Sequence, residues 1–523
     1  MAVSKPDRDE VKSLHAEWER SGRPPLGAFA RRVGRPESTV RRWLKDAAEQ
    51  VQLFDRKLGL AKTYVITSAQ NATPVHAGFF AALLRYCKKH KAELVVIPLR
   101  YRNPTSAWTE NDSADDWWAA EVVPYLCDTR HMLNKNLAVL ADIKVQPTAE
   151  NPLTGFESIS RGESCILGHP KVSLTTVPVP SHATPKLMTT TGSVTKANYT
   201  GTKAGKKGEF HHSYAAVVVE LDEGNTFHLR HISAVKDGSF IDLDTEYTPK
   251  AIRKAPPALA LVMGDTHAIF ADSKVLDATF RPKGLVDTLK PKHLVWHDVL
   301  DFYSANHHHK HEPFLRLAKY KSKMHEVEKE VRQTFALVDK YLRRYPKVQH
   351  VFPHSNHDAA LMRWLKEADW RDDPANAVFY LETASYVASH TATNVKGQAH
   401  IPDPFAFWGN RLLSAPGRCN FLSADDSFVV AGVDIGSHGH IGPNGARGSL
   451  KGLGRLGVKS IIGHSHSPGI FEGAMQVGTS SQLRLGYNKG ASGWLNTHGV
   501  LYANGKRTLI NFINGKYTNR KPK

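Results

Sequence analysis

The run ALALVMGDTH (258–267) decides how the chain is read. Six apolar residues of strand length give way to a small loop carrying Asp265 and His267. The same pattern recurs four times further on. HLVW (293–296) leads into HDVLD, VQHVF (348–352) into PHSNHD, FVVAGVDI (428–435) into GSHGH, and SII (460–462) into GHSH. Short apolar runs bounded by turn residues suit buried strands. In open α/β sheets, ligands bind beyond the carboxyl ends of the strands. Five loops of this kind are expected to converge on one rim.

The loops supply metal-ligand chemistry. Asp265 and His267 are two residues apart, so in an extended segment both face one side and can reach one ion. Asp298 lies 31 residues after His267, about one crossover unit. Asn356, His357 and Asp358 follow, then His438, then His464 and His466. The donors are imidazole nitrogens and carboxylate or amide oxygens, with no thiolate. That mixture suits Mn²⁺, Fe²⁺ or Zn²⁺ in a reactive site better than a closed structural zinc. The donors exceed what one ion needs and suffice for two.

The motif order GDTH (264–267), HDVLD (297–301), SNHD (355–358), SHGH (437–440) and GHSH (463–466) resembles the calcineurin-like metallophosphoesterases. Within that family it is most similar to the Mre11-like nucleases, including a phage-encoded DNase that uses Mn²⁺. The resemblance covers roughly 255–515. It implies an α/β fold with a metallophosphoesterase-type β-sandwich flanked by helices. It also implies two divalent ions, Mn²⁺ foremost, with Mg²⁺, Fe²⁺ or Zn²⁺ as alternatives. Asp265, His267 and His466 would hold the first ion. Asn356, His438 and His464 would hold the second, and Asp298 would bridge them. His357 would be the non-ligand histidine beside the scissile phosphate, with Asp358 orienting it. The reaction implied is hydrolysis of a phosphodiester by a hydroxide held between the ions, leaving a 5′-phosphate and a 3′-hydroxyl. His297 and Ser355 stand where the family has glycine, which bears on loop geometry rather than on ligand identity. His438 is chosen over His440 because the family's ligand precedes the glycine.

Upstream, residues 1–50 read as a helix-turn-helix DNA-binding domain. Three helices are expected, 9–21, 26–33 and 36–47, with Leu14, Trp18, Phe29, Val33, Val40, Trp43 and Leu44 as a small shared core. Gly34 marks the turn. In such folds the last helix enters the major groove, which would present Ser38, Thr39, Arg41, Arg42 and Lys45. The local balance of 11 basic to 8 acidic residues leaves a docking or oligomerisation module as the competing reading. Residues 51–250 form a separate α/β region of unknown role. Strands at 62–70 and 93–101 with a helix at 77–91 between them make a βαβ unit. Further strands are expected at 215–221 and 226–235. The stretch 192–212, with Lys196, Lys203, Lys206 and Lys207, reads as an exposed basic loop. Residues 251–523 are the catalytic domain. Its helix near 324–345 carries Val327, Val331, Phe335, Val338 and Leu342 at core spacing. The tract His307, His308, His309, His311 maps to no ligand position, and the C-terminal NGKYTNRKPK reads as a mobile basic tail. No internal repeat is evident.

Composition agrees with this reading. Lys plus Arg number 69 against 50 Asp plus Glu, a net +19, which favours polyanionic partners. Four cysteines lie far apart with no CxxC pair, which argues against a disulfide framework and fits a reducing cytoplasm. No apolar run reaches membrane-span length. The expectation is therefore a cytoplasmic two-metal DNA nuclease with DNA as partner and no membrane; the resemblance adds a phage origin and self-association into dimers or larger. Two alternatives stand beside it: a phosphoesterase acting on RNA, nucleotides or phosphoproteins, and a non-catalytic DNA-binding regulator on the same scaffold.

Overall fold

A computed structural model describes residues 13–41, 56–101 and 117–520, apart from 15, 16, 19, 23, 181, 182, 184, 394–396, 398 and 487. Within it the motif-bearing strands divide between two sheets. The first has six strands in the order Cys419–Phe421, Gln349–Phe352, His293–Val295, Ala260–Val262, Thr497–Leu501 and Arg507–Asn511. The first four run parallel, and the last two are antiparallel additions.

The central strands, Ala260–Val262 and His293–Val295, are largely apolar because both faces are covered. Leu261, Met263, Leu294 and Trp296 face a helical layer that includes Val327–Arg344. Ala260, Val262, Val295 and Val351 face the other way, into a core shared with Val433, Ile461, Met475 and Val477 of the second sheet. The stripe Val327, Val331, Phe335, Val338 and Leu342 is buried as its spacing predicts.

The second sheet has ten strands among the described residues. From one edge, Val429–Val430, Val433–Asp434, Lys459–Ile462, Ala474–Gln476 and Gly469–Phe471 come from the C-terminal half. Leu174–Val177, Lys186–Thr190, Ser164–Leu167, Leu137–Leu140 and Arg130–Asn134 complete it. The expected strand 428–435 is thus two short strands, because Ala431 (φ +49°) and Gly432 (φ +72°) turn the chain into a hairpin.

The βαβ unit forms as expected, with Thr63–Gln70 parallel to Glu93–Leu99 and the helix Ala77–His90 between them. His76 Nδ1 caps that helix by accepting the Phe79 amide at 3.1 Å. Phe79, Leu83 and Tyr86 pack its apolar face on a four-stranded sheet completed by Ala215–Leu221 and Phe227–Ser233.

Three expectations need correction. A boundary at residue 250 does not separate two cores, since Tyr64, Ile66 and Val95 share one with Val262 and Val295 and the ten-stranded sheet crosses it. The stretch 192–212 is not a loop throughout. Residues Lys203–His211 are helical, capped by Thr202 Oγ1 accepting the Gly205 amide at 3.1 Å. Its glycines serve close packing rather than mobility: a Cβ at Gly208 would lie 2.7 Å from the Tyr199 ring. The C-terminal tail is anchored up to Arg520. The Arg520 guanidinium reaches Glu220 at 2.7 Å and Asp242 at 2.9 Å, beside Arg230, which meets the same two carboxylates at 2.6 Å each.

That ion cluster is buried and predicts acid lability. Burial alone would raise the Glu220 carboxyl, but Arg230 and Arg520 outweigh it and hold it at about 2; Asp242 is likewise held far below the usual carboxylate range. A depressed carboxyl stabilises the fold above its unfolded-state value and loses that contribution as pH falls toward the folded-state value. Thermal midpoints should therefore fall between about pH 4.5 and 2. Glu220→Gln should cost about 3–5 kcal/mol at neutral pH and flatten that pH dependence. Equal slopes in wild type and variant would refute the assignment.

Candidate metal centre

The strand ends deliver their loops to one crevice between the two sheets. The GDTH and HDVLD loops are zipped together by backbone bonds. Thr266, His267 and Ala268 amides donate to the carbonyls of His297 (2.9 Å), Asp298 (2.7 Å) and Val299 (2.8 Å). The three ligand-bearing loops adopt unusual backbone. His267 (φ +43°), Asp298 (+39°), His464 (+81°) and His466 (+58°) all occupy the left-handed region, at a cost of about 1–3 kcal/mol each. Gly463 is required by close approach, since a Cβ there would lie 2.3 Å from Asp265 Oδ1.

All seven expected ligands meet here, in two overlapping groups. In the deeper group, His466 Nε2 lies 3.0 Å from His267 Nε2 and 3.1 Å from Asp265 Oδ2. Asp298 joins Asp265, His267 and His466 with ligand atoms mutually within 4.8 Å. In the shallower group, Asn356 Oδ1 lies 3.1 Å from His438 Nε2 and 3.0 Å from His464 Nδ1. His438 Nε2 is 3.2 Å from Asp298 Oδ2, so Asp298 belongs to both. The deeper group is buried, whereas Asn356 is exposed and His357 and His464 are half-buried. The crevice therefore opens to solvent on the side of the second group.

The residues fit divalent cations. Asp265 Oδ1 and Asp298 Oδ2 are buried without a hydrogen-bond donor. An isolated buried carboxylate is costly unless it is paired or holds a cation. Burial would raise both carboxyls, but the facing imidazoles keep them lowered, Asp298 well below its usual range. Burial pulls His267 down, yet Asp301, Asp298 and Asp265 override it and raise the imidazole to about 9. His438 is raised against burial in the same way, chiefly by Asp298. Burial outweighs the carboxylates at His464 and His466, which are lowered, so the pocket draws protons onto His267 and His438, where its negative charge is concentrated.

His357 is placed as expected but oriented differently. Its Nδ1 donates to the Asp301 carbonyl at 2.7 Å, and its amide donates to Asp298 Oδ1 at 3.2 Å. Its ring sits edge-on to His267 at 4.7 Å. Asp358 does not orient it. The Asp358 carboxylate turns the other way, accepting the Leu300 amide at 2.9 Å and the Ser355 hydroxyl at 2.7 Å. Asp358 thus braces the loops, and burial with nearby Asp298 pushes its carboxyl up to about 7.

Three further residues complete the site. Asp301 Oδ2 lies 2.9 Å from His267 Nδ1 and fixes that ring from behind. His297 Nδ1 lies 3.2 Å from His438 Nδ1. Trp494 packs against His466 at 4.1 Å. The spacing of Asp298 and Asp301 in HDVLD signals the first; the others depend on tertiary approach. His440 is half-buried and stacks on His354 at 5.4 Å. The histidine tract forms a short turn braced by Arg363 (to His307, 2.9 Å) and Lys319 (to His309, 2.7 Å).

The expected DNA-binding residues lie apart from this site. Ser38 and Arg41 are exposed and Thr39 is half-buried on a helical turn. Arg41 pairs with Glu37 at 2.9 Å. Arg42 and Lys45, with Trp43 and Leu44, lie outside the described residues. Phe29, Ala30 and Val40 form a small core with Trp18, Leu26 and Val33.

The chain is 36% identical to Protein A1 of Escherichia phage T5 over 484 residues, 89% of this chain and 84% of that protein. It belongs to the Protein A1 family. This kinship supports a phage origin. No family model and no solved structure matches the chain. Among the described residues, no helix is long and apolar enough to cross a membrane.

A carboxylate behind a ligand histidine typically contributes about 10–100-fold in metal affinity. Asp301→Asn should therefore weaken Mn²⁺ binding by about that factor, measured by equilibrium dialysis. Unaltered affinity would remove Asp301 from the site.

Proposed function

We propose that this protein is a two-metal phosphodiesterase that cleaves DNA, built on a metallophosphoesterase-type sandwich. The observation that carries the reading is the convergence of seven donors into two groups sharing Asp298, with one further histidine beside them. Asp265, His267, Asp298 and His466 would hold one divalent ion, and Asp298, Asn356, His438 and His464 the other. Mn²⁺ is the preferred ion, with Mg²⁺, Fe²⁺ and Zn²⁺ as alternatives. When bound, a pair of such ions supplies an activated water and neutralises charge on the phosphoryl oxygens.

The chain's own residues do the rest. The Asp301 carbonyl fixes the proton of His357 on Nδ1, which directs Nε2 away from that backbone. Protonated there, His357 would donate to the departing oxygen or balance its charge. Asp301 and His297 hold His267 and His438 in register. The opening beside Asn356, His357 and His464 admits the phosphate, while the deeper group stays dry. The N-terminal helical unit would bind duplex DNA through Ser38, Thr39, Arg41, Arg42 and Lys45. The net charge of +19 favours the same polyanion, and self-association belongs to the same reading.

The test is cleavage of linear duplex DNA with Mn²⁺, which EDTA should abolish. His357→Ala should lose about 10²–10⁴-fold in rate while retaining bound metal. Asp298→Ala should lose both rate and metal. Persistent cleavage in either variant would sink the assignment. Comparable turnover of RNA or a small phosphomonoester would shift the reading to another phosphoesterase. Removing residues 1–50 should weaken DNA affinity and spare cleavage of a small aryl phosphodiester; joint loss would make that unit structural.

A further inference from the structure

The two halves of the ten-stranded sheet have the same strand order, read inward from each edge. On one side it is Val429–Val430, Val433–Asp434, Lys459–Ile462, Ala474–Gln476, Gly469–Phe471. On the other it is Arg130–Asn134, Leu137–Leu140, Ser164–Leu167, Lys186–Thr190, Leu174–Val177. The pairing senses also agree step by step: antiparallel, parallel, parallel, antiparallel. The halves meet antiparallel at Leu174 and Ile470. These two residues hold the same register position in their own halves, since Leu174 opposes Thr189 and Ile470 opposes Met475. An element that pairs with its own counterpart is the mark of a two-fold interface.

The other sheets repeat the match. Thr63–Gln70 lies between a parallel strand and an antiparallel hairpin, as Ala260–Val262 does. Even isolated bridges correspond. Ser68 pairs with Ser193 as Asp265 pairs with Thr479, Val75 with Thr195 as Ala271 with Ser481, and Ser193 with Tyr214 as Thr479 with Asn496. The repeat is one of topology and register, which is why no repeat is evident in the residues.

The register shows what the first unit has lost. Ser68 stands at the place of Asp265, and Gln70 at that of His267. Gly168-His169-Pro170-Lys171 follows its strand as Gly463-His464-Ser465-His466 does. Lys171 therefore takes the place of His466, and its ammonium pairs with Glu472 at 3.2 Å. His169 is fully buried, with both ring nitrogens engaged by the Lys171 amide (3.0 Å) and the Gln146 carbonyl (3.1 Å). Among the described residues, the edge beyond Glu93–Leu99 carries a single parallel bridge, Val96 with Leu126, where the second unit has the full strand Gln349–Phe352. Such a set holds no divalent ion.

The first unit nevertheless reaches the metal centre of the second. Val179 and Ser492 exchange backbone hydrogen bonds at 3.1 and 3.0 Å. Arg484 spans from the Gly490 carbonyl (2.7 Å) to the Val179 carbonyl (3.4 Å). Two residues past Ser492 is Trp494, packed on His466.

We propose that residues 63–233 are a second, ligand-free copy of the unit formed by residues 260–511. This copy is docked as the partner in a two-fold dimer docks, and it braces the Trp494 segment from outside, adding to the bond that the Leu495 amide makes to the His466 carbonyl at 3.1 Å. The proposal rests on the two-metal reading only for the site it serves. Val179 and Arg484 are positioning residues.

The test uses the full chain and two variants. Val179→Pro removes one seam donor between Pro178 and Pro180, where the backbone is extended already. Arg484→Ala trims an exposed side chain and leaves folding intact. Both should speed amide exchange in 491–495 by about fivefold or more, the factor one hydrogen bond carries. Protection in Ala260–Val262 should stay unchanged. Mn²⁺ dialysis should give two ions per wild-type chain, and the same count in Gln70→Ala. Unchanged exchange in both variants would overturn the positioning role. Four ions per chain, or an ion lost on Gln70→Ala, would overturn the ligand-free copy. If the wild-type chain bound no Mn²⁺, the two-metal reading would fail, and the exchange result alone would decide this proposal.

Discussion

Two carboxylates buried in one crevice, Asp265 and Asp298, set the condition that the rest of the structure meets. Each has an oxygen with no hydrogen-bond donor, and they lie within one cluster of ligand atoms. Burying like charges together is unfavourable unless cations or protonated partners offset them. Within the chain, the imidazoles of His267 and His438 supply the offset, with His267 raised to about 9 and His438 raised chiefly by Asp298 against burial. Divalent ions would supply it more completely. Either way the loops must keep the donors from swinging outward to water. That explains the zipped GDTH and HDVLD backbones and the four residues held at positive φ.

Strained loops persist only where their supports are rigid. The six-stranded sheet provides this by being covered on both faces. Leu261 and Met263 point into the helical layer, while Ala260 and Val262 point into the shared core. A strand fixed on two sides ends at a defined height, and so its loop begins at one. The second sheet delivers His438, His464 and His466 from the opposite wall. Neither sheet alone holds a complete ligand group, since His466 is needed for the deeper one and Asn356 for the shallower one.

What was legible in the sequence follows from this. An apolar run ending in Asp-x-His is a local pattern, and local patterns survive folding; hence the strands, the long helix and the seven side chains that converge in the crevice could be read. What depended on chains meeting in space could not. Asp358 sits next to His357 in sequence, yet the two side chains point apart, toward Ser355 and toward the Asp301 carbonyl. Trp494 lies 28 residues from His466 and reaches it through tertiary pairing, the Leu495 amide on the His466 carbonyl at 3.1 Å and Ser492 on Val179. The boundary at 250 followed from where the ligand-type loops begin, but the ten-stranded sheet takes strands from both sides of it. The glycines and lysines of 192–212 suggested an exposed loop, whereas Gly205 and Gly208 lie in a helix and pack closely on Thr200 and Tyr199.

The duplicated topology separates two demands that a single unit would have to reconcile. A unit with ionised carboxylates in its crevice depends on protonated imidazoles or bound cations to offset them. Replacing Asp265 and His267 by Ser68 and Gln70 removes that dependence, because both are neutral and Ser68 hydrogen-bonds within its own unit, to the Gly192 carbonyl at 2.6 Å. Lys171 goes further by carrying a fixed positive charge where the other unit has a histidine, and it spends that charge on Glu472 across the seam. The first unit is thus built to be stable without metal, and its interface draws on that stability. A strained, charge-laden centre gains from an adjoining wall whose fold does not vary with metal occupancy, and the Val179–Ser492 bridge is where the wall meets the loop that packs on His466.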